Sequence, residues 1–479
     1  MKKIMNNKNM KRILILFGLL FLFHFPLMIK NIITADVLLN NSYYDGYAWE
    51  ISLGRFGLYV IGMLKNYIST PIVDLIPSFI ILSIITYLLI DLFEIKNKIN
   101  ILFTILIMVV SPIISMTLIF YYCSIGYLVA FLCGVLSTYI FYRVKNKYLK
   151  NILPIVLIVI SLSMYQAYLS LIITVFVLCN IKLVLNKKYN YKDVINYLIL
   201  LFIGVITYFI LMKLSLLVFH INPSNYSDAD KIGIKTILSF PNKFILSYKL
   251  FFEFLFKDSI VKNSYFHTYI YSIILFVLMV ISITKNIIKN KIKCSNIILI
   301  IILLLLLPVF LNSVIFVINE AKLQLLMGAS YIIIPIFILS FNYDKIYKFI
   351  FIIIFTILIR NYYIQDQATY ISLENTFNSY NTIIKKSINT DGNYKYMIIG
   401  NIKNKDEINK LNYGYISDLG IFWEEYNLKK IGFTKFIKIY YGIDIEFIDE
   451  ENYNNLLNED YKDIINYRDN IIIINFDKV

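Results

Sequence analysis

The chain has 479 residues, of which 59% are hydrophobic and 16% are charged, and its mean hydropathy is +0.69. Soluble domains carry about 25% charged residues, so this composition excludes an ordinary soluble protein. The net charge of +15 does not indicate nucleic-acid binding, because most Lys and Arg residues lie in short loops between apolar runs, and four cysteines without a CxxC motif imply neither a disulfide framework nor a zinc site.

Apolar runs long enough to cross a hydrocarbon core of about 30 Å follow one another along the chain. The first, from Ile13 to Ile29, has no small-residue cleavage site after it, so it is predicted to be a retained helix rather than a signal peptide. We predict about eleven transmembrane helices, at 12–33, 72–93, 101–120, 124–142, 152–164, 168–186, 197–218, 266–284, 295–317, 325–342 and 348–364.

The loops between these runs differ in charge. If the basic N-terminus is cytoplasmic, alternate loops are also cytoplasmic, and those loops hold the clusters of Lys and Arg. The short opposite turns, near Tyr121–Cys123 and Tyr165–Ala167, hold none. This positive-inside bias places three segments outside the cytoplasm, at about 31–71, 219–266 and everything after about 364.

The outer segments differ in character. In 219–266, apolar residues recur every three or four positions with lysines between them, which is typical of an interfacial helix and also of an ordinary packing or re-entrant helix. After 364, YKYMIIG, IEFI and NIIIINF indicate strands, and Glu407–Leu411, Trp423–Tyr440 and Glu451–Ile465 indicate helices. The predicted fold is mainly α, a polytopic membrane domain at 1–364 followed by a small extracytoplasmic α/β domain at 365–479.

The first outer segment carries most of the chemical signal. Acidic residues are sparse in the first 360 positions, yet this segment holds Asp36, Asp45 and Glu50 together with Trp49 and Arg55. A carboxylate held at the membrane surface could act as the base for an acceptor hydroxyl that attacks a lipid-phosphate sugar. Arg55 could bind the phosphate and Trp49 could stack on the sugar. The simpler readings are a helix cap for Asp36, solvated loop carboxylates, and membrane-interface anchors for Trp49 and Arg55.

Three further polar residues are candidates on the same side. Gln166 could bond a sugar hydroxyl or satisfy backbone groups. Lys322 could bind phosphate or pair with Glu320. Asp74 lies near the outer end of the second predicted helix, where ionisable residues are costly and often functional.

The spacing of Asp36, Trp49 and Gly54-Arg55 resembles the first outer loop of the GtrII-type membrane glucosyltransferases. Two further stretches are similar to that family, SPIISMTLIFYYCSIGYLVAFL from Ser111 and the Tyr-Gln-Ala-Tyr turn at Tyr165–Tyr168. The resemblance implies a GT-C-like fold, a polyprenyl-phosphate sugar donor and transfer on the outer side, as in O-antigen decoration.

The resulting hypothesis is a hexosyltransferase in the cytoplasmic membrane of a bacterium, with its N-terminus in the cytoplasm. It moves a hexose, glucose by resemblance, to a surface polysaccharide or a lipid-linked acceptor. Asp36 is the predicted base, assisted by Asp45 or Glu50, and a divalent metal is left open. The alternatives are a glycolipid transporter or flippase, a polysaccharide polymerase that uses His220, Asp228 and Asp230, and a non-catalytic assembly protein.

Overall fold

The computed structural model describes residues 7–224, 240–253, 269–316, 325–341, 345–388, 394–402, 425–457, 459 and 461–479. Three groups of predictions lie outside the described residues: the helix at Glu407–Leu411, the phosphate-binding role of Lys322, and the polymerase candidates Asp228 and Asp230. Within the described residues the chain is mainly helical, as predicted, with two small sheets.

The chain divides into two compact units. The first takes in the described residues of Met1–His24, Tyr43–Val261 and Tyr265–Tyr363, and the second takes in those of Phe25–Ser42 and Ile364–Val479. The long helix Lys345–Ser387 therefore begins in the first unit and ends in the second. The segment Phe25–Ser42, which the sequence reading placed in the membrane domain, belongs by its contacts to the second unit.

The first unit is built from helices. Those of its described residues are α1 (Asn7–His24), α4 (Ala48–Ser52), α5 (Phe56–Leu64), α6 (Pro71–Leu92), α7 (Lys98–Val110), α8 (Pro112–Ile119), α9 (Tyr121–Arg143), α10 (Lys147–Met164), α11 (Tyr168–Leu185), α12 (Tyr191–Val218), α13 (Phe240–Phe252), α14 (Tyr269–Asn290), α15 (Cys294–Leu305), α16 (Leu307–Leu311), α17 (Ala329–Leu339) and the first part of α18 (Lys345–Ser387). Strands β1 (Ser42–Tyr43) and β2 (Ile68–Ser69) are two residues long, and beside them the Tyr44 amide donates to the Tyr67 carbonyl.

Several helices are long and apolar enough to cross a membrane. In the described part of the chain eight meet that description, at Pro71–Leu92, Lys98–Ile119, Tyr121–Arg143, Lys147–Met164, Tyr168–Leu185, Tyr191–Val218, Ile273–Asn290 and Lys348–Ser387. The total of eleven stays a prediction. The first predicted helix, 12–33, is wrong in its extent, because helix α1 ends at His24 and a separate turn, α2 (Pro26–Ile29), starts at a proline, whose nitrogen has no hydrogen to donate.

The helix starts are encoded locally. Asn97, Asn146 and Asn190 each precede a helix, and their side-chain oxygens accept hydrogen bonds from backbone amides of the first turn. Thr70 does the same for α6, with Pro71 as its first residue. Asn and Thr are favoured at this position because the first amides of a helix have no partner within it.

Several hydroxyl side chains within the apolar helices are satisfied within their own helix. Ser83 donates to the Phe79 carbonyl, Thr86 to Leu82 and Thr104 to Asn100, at 2.7 to 2.8 Å. In a hydrocarbon environment such groups would otherwise be costly. These hydroxyls therefore do not by themselves mark a functional site.

The second unit contains a four-stranded sheet. Its strands, β3 (Lys395–Ile399), β4 (Glu446–Phe447), β5 (Ile465–Arg468) and β6 (Ile471–Asn475), lie in the order β4-β3-β6-β5. Strand β3 runs parallel to both of its neighbours, and β5 and β6 form an antiparallel hairpin. The three predicted strands are present. The predicted helix Glu451–Ile465 is wrong at its end, because Ile465 begins β5.

Besides α2 and the C-terminal part of α18, the described residues of the second unit form α3 (Ala35–Asn40), α19 (Tyr426–Tyr441) and α20 (Glu450–Leu457). Helix α3 packs on α19, where the Lys435 ammonium donates to the Leu39 carbonyl. Burial lowers the pKa of Lys435. Aromatic and aliphatic side chains around Met397, Tyr426 and Ile473 form a core of this unit. Val37 and Leu38 of α3 are fully buried, so the segment after α1 is fixed by packing.

Candidate functional site

A buried ion pair lies in the first unit, just after β1. Glu50 is on the short helix α4, and Arg55 directly precedes α5. Glu50 is only 5% exposed, and its carboxylate accepts a hydrogen bond from the Tyr44 hydroxyl at 3.0 Å and one from Arg55 Nη1 at 3.4 Å. Buried charges are costly unless paired, so each of these two residues fixes the other.

Aromatic side chains surround the Arg55 guanidinium. Its Nη1 also donates to the Tyr127 hydroxyl at 3.4 Å, and its Cζ lies 5.2 Å from the centre of the Tyr165 ring. The Arg55 Nε is buried and has no hydrogen-bond partner among the described residues. Because nearly all buried donors in proteins are paired, this N–H is a donor that a bound anion or hydroxyl would satisfy.

Tyr44 donates a hydrogen bond in this cluster. Burial, and then the nearby Glu50 carboxylate, raise the pKa of Tyr44 well above its usual value. The phenol therefore stays protonated and donates to Glu50 at any physiological pH. A second donor to this carboxylate makes its position less dependent on Arg55 alone.

The turn before Arg55 is held by two side chains that are distant in sequence, Gln166 in the turn between α10 and α11 and Tyr208 on α12. Gln166 Nε2 donates to the Leu53 carbonyl at 2.6 Å and to the Tyr208 hydroxyl at 2.8 Å. The Tyr208 hydroxyl donates to the Gly54 carbonyl at 3.2 Å. Both amide hydrogens of Gln166 are thus used in positioning the loop, which matches the structural reading of this residue and leaves only its oxygen for a sugar.

Gly54 is required at this turn by its conformation. Its φ is +79°, and a Cβ there would lie 2.7 Å from Met212 Sδ and 2.8 Å from the Tyr208 hydroxyl. We expect Gly54→Ala to lower the free energy of unfolding by about 1–2 kcal/mol from backbone strain alone, measured by thermal unfolding in detergent. Gly18→Ala is the matched control, because a Cβ at Gly18 meets nothing within 4 Å and Gly18 lies inside α1, so its unfolding midpoint is expected to equal that of the parent or lie slightly above it. Equal midpoints for the two variants would contradict this account of the turn.

Gln166 provides a second test of how the loop is positioned. We expect Gln166→Met, which keeps the volume but removes both donors, to cost about 1–3 kcal/mol, because the Leu53 carbonyl loses its buried partner. Thermal unfolding measures the loss. Thr207→Val is the control, since the Thr207 hydroxyl donates only to Ile203 on its own exposed helical face. An equally small effect for both variants would show that the loop does not depend on Gln166.

A second buried ion pair adjoins the first. Lys65 donates to the Asp74 carboxylate at 2.5 Å and to the Tyr122 carbonyl at 2.9 Å, and its ammonium lies 5.5 Å from the centre of the Tyr44 ring. The Ser69 hydroxyl donates to the other Asp74 oxygen at 3.2 Å. The Asp74 side chain is fully buried. Two carboxylates and two cations therefore share one buried cluster, which is electrically balanced.

The remaining candidates are more exposed or lie elsewhere. Asp45 is half-buried, and one of its oxygens accepts a hydrogen bond from the Tyr47 amide at 2.9 Å. Trp49 is 58% exposed. Asp36 belongs to the second unit, in the first turn of α3, where Thr34 and not Asp36 caps the helix. The structure thus joins Glu50 with Arg55, gives Gln166 a supporting place beside them, and puts Asp36 in a separate unit.

Sequence reasoning missed three members of the cluster, Tyr44, Lys65 and Tyr127. Each joins the cluster through a contact with a residue that lies between 6 and 72 positions away in the sequence. A local sequence pattern does not reveal such contacts. The sequence signal for this cluster was the scarcity of charged residues in apolar segments. That signal identified Asp74, the partner of Lys65. Among the described residues, no group of three or more His, Cys, Asp or Glu side chains could hold a metal ion.

The comparisons with known proteins identify the family of the chain. Residues 19–341, about two thirds of the chain, match the sequence model of the family described as glucosyl transferase GtrII. Searches among curated proteins and among solved structures found no significant match. The matched region contains Tyr44, Glu50, Arg55, Lys65, Asp74, Tyr127 and Gln166. The chain is therefore a member of the GtrII family of glucosyl transferases.

Proposed function

We propose that this glycosyltransferase moves a glucosyl residue from a polyprenyl-phosphate carrier to a surface polysaccharide or a lipid-linked acceptor, at the outer face of a bacterial cytoplasmic membrane. The observation that carries the proposal is the buried pair of Glu50 and Arg55, with its unpartnered Nε donor. The pair places a carboxylate in contact with a cation that can bind an anion. Transfer from a sugar phosphate needs both groups, one to accept the proton and one to bind the phosphate.

Arg55 binds the donor phosphate in this proposal. A guanidinium presents five N–H donors in a planar fork that fits phosphate oxygens, and the Nε–H of Arg55 has no other partner. Its Nη1 contacts to Glu50 and Tyr127 set the orientation of the fork. Because the site is largely closed to water, the interaction with a phosphate is stronger than at an exposed surface.

Glu50 is the proposed base. As the acceptor oxygen forms its bond to the anomeric carbon, its proton passes to the Glu50 carboxylate. The bond between the anomeric carbon and the phosphate oxygen breaks, and the lipid phosphate leaves with the electron pair, its charge offset by Arg55. Glu50 replaces Asp36 as the preferred candidate because Glu50 contacts the proposed phosphate-binding group.

An aromatic surface next to this pair suits the sugar. Tyr47, Tyr59 and Phe219 have ring centres 5.3 to 5.7 Å apart, and Trp49 is exposed in the same segment. Aromatic faces stack on the C–H faces of hexoses, so this cluster supports binding of a hexosyl group. Asp45, which directly precedes Gly46 and Tyr47 in this loop, would form hydrogen bonds with sugar or acceptor hydroxyls.

The spacing of charges supports the proposed membrane placement. Asp74 and Asp91 lie 17 residues apart on α6, which is about 26 Å at a rise of 1.5 Å per residue. Asp91 and Arg143 interact at the far end, at 3.9 Å. The separation of Asp74 and Asp91 is a few ångströms less than a hydrocarbon core of about 30 Å, so the two polar layers lie near its two surfaces, with the Lys- and Arg-rich loops in the cytoplasm. In this orientation Glu50 and the α/β unit after α18 are outside, in a GT-C-like protein of about eleven spans.

The test is transfer in detergent. The purified full-length chain is incubated with a radiolabelled polyprenyl-phosphate glucose and a lipid-linked glycan, and labelled product is measured. We expect product with this donor and none with the nucleotide sugar alone. Label transfer from the nucleotide sugar without lipid would overturn the proposed donor. Movement of the labelled lipid across liposomes without any transfer would favour a flippase instead.

A further inference from the structure

A lysine-rich cavity lies at the opposite end of the first unit from Glu50. Its volume is about 600 Å³, and its lining includes Glu94, Lys187, Lys188, Lys289 and Lys291. We call it the lysine cavity. It is formed where α6, α11 and α14 end. It is open to solvent, its four lysines are exposed, and its volume is in the range of small-ligand sites, about 300–1,000 Å³.

The three helices end in the same way at this cavity. Glu94, Lys187 and Lys291 follow α6, α11 and α14, and each has a positive φ, of 53°, 57° and 46°. In each case the next residue's amide bonds five residues back, to the carbonyls of Ile90, Leu183 and Ile287. Glycine is usual at this position, so three charged side chains stand where a side chain is disfavoured. All three line the lysine cavity.

The cavity remains positive after the helix ends are counted. Each helix C-terminus carries roughly half a negative charge, so three termini contribute about −1.5. Glu94 contributes a further negative charge and the four lysines contribute four positive ones, which leaves roughly +1.5. Neutralising the helix ends therefore does not account for all four lysines. The excess suits an anion of one to two charges.

None of the four lysines is used in an ion pair within the described part of the chain. The cavity wall is nevertheless fixed, because Asn290 on α14 donates to the Leu185 carbonyl on α11 at 2.8 Å. A neighbouring cavity of about 370 Å³ shares Glu94 and Lys188, but there Arg143 already lies 3.5 Å from the Glu94 carboxylate and 3.9 Å from Asp91. Lys187, Lys289 and Lys291 line the lysine cavity and not its neighbour.

We propose that the lysine cavity binds a phosphate group, supplied by an anionic phospholipid headgroup or by free phosphate. Lysine ammonium groups bind phosphate as point charges, and anionic lipid headgroups commonly occupy basic pockets between helix ends at the membrane surface. The site is about one membrane thickness from Glu50 along α6, so it is separate from the transfer reaction. A topological role for the lysines, as positive charges retained on one side, does not require them to converge on one cavity.

The experiment measures lipid retained by the purified full-length chain. The parent and a Lys187→Gln/Lys291→Gln variant are titrated with phosphatidylglycerol and with phosphatidylcholine, and bound lipid is counted by native mass spectrometry. The control variant is Lys145→Gln/Lys147→Gln. It removes two exposed lysines from the connection between the end of α9 and the start of α10. We expect phosphatidylglycerol to bind the cavity variant about tenfold or more weakly, as for loss of one charged hydrogen bond, and to bind the control like the parent.

Inorganic phosphate then distinguishes the two sources. If phosphate displaces phosphatidylglycerol at millimolar concentration, the phosphate group alone is recognised, and if it does not, the site needs the lipid headgroup. Either result supports the proposal when the cavity variant is weakened. Equal binding to all three proteins would overturn it, and so would equal weakening of both variants. Because the readout is lipid binding, failure here leaves the proposed transfer reaction unaffected.

Discussion

Glu50→Gln is expected to lower the rate of glucosyl transfer by about 10²–10⁴-fold, the range for loss of a general base. The substitution keeps the shape of the side chain and removes its capacity to take up a proton. The Gln oxygen can still accept hydrogen bonds from the Tyr44 hydroxyl and from Arg55 Nη1, but the Arg55 charge loses its charged partner. The thermal unfolding midpoint is therefore measured beside the rate, and a folded variant with a lowered kcat is the expected result. Initial rates at saturating donor, with labelled polyprenyl-phosphate glucose, measure the loss as a change in kcat.

Two matched substitutions accompany it. Asp45→Asn and Asp36→Asn remove carboxylates of the same segment with the same change of shape. Asp45 accepts a hydrogen bond from the Tyr47 amide, and Asp36 lies on α3 in the second unit, so both are expected to keep kcat within about tenfold of the parent. A normal rate for Glu50→Gln, together with a large loss for Asp36→Asn, would return the role of base to Asp36.

Local patterns predicted much of the fold. The apolar runs at 72–93, 168–186 and 197–218 correspond to α6, α11 and α12, because each helix must be apolar over a membrane's thickness. Asn and Thr before a helix mark its start in the same way. Three strands of the second unit could be read from short apolar runs, but not β5, which is held mainly by its pairing with β6.

The site could be predicted only in part. Glu50, Arg55 and Gln166 were found because charged and amide residues stand out in apolar surroundings. Their grouping could not be found, since Arg55 meets Tyr127 over 72 residues and Gln166 meets Leu53 over 113. Asp36 was the preferred base in the sequence, but α3 packs on α19, almost 400 residues away. Such contacts depend on tertiary packing and leave no trace in local spacing.

The Lys65–Asp74 pair carries the largest expected effect on stability. Asp74→Leu leaves the Lys65 ammonium buried without its partner, as the two side chains are only 7% and 0% exposed. Removing one member of a buried pair costs about 3–5 kcal/mol, so we expect a marked fall in the thermal unfolding midpoint. Lys65→Met, which leaves the carboxylate unpaired, is expected to lower the midpoint similarly.

The double variant Lys65→Met/Asp74→Leu separates a pairing effect from a packing effect. Replacing both charges by apolar groups removes the unpaired charge, and such replacements are often neutral. We therefore expect its midpoint to recover most of the way to the parent, with a coupling energy of about 2 kcal/mol or more in the double-mutant cycle. Lys150→Met/Asp193→Leu is the control cycle, because that pair, at 2.7 Å, is 26% and 34% exposed and such pairs contribute about 0–1 kcal/mol. If the losses in free energy of unfolding at positions 65 and 74 simply add, the two charges do not stabilise each other, which would contradict an electrically balanced cluster.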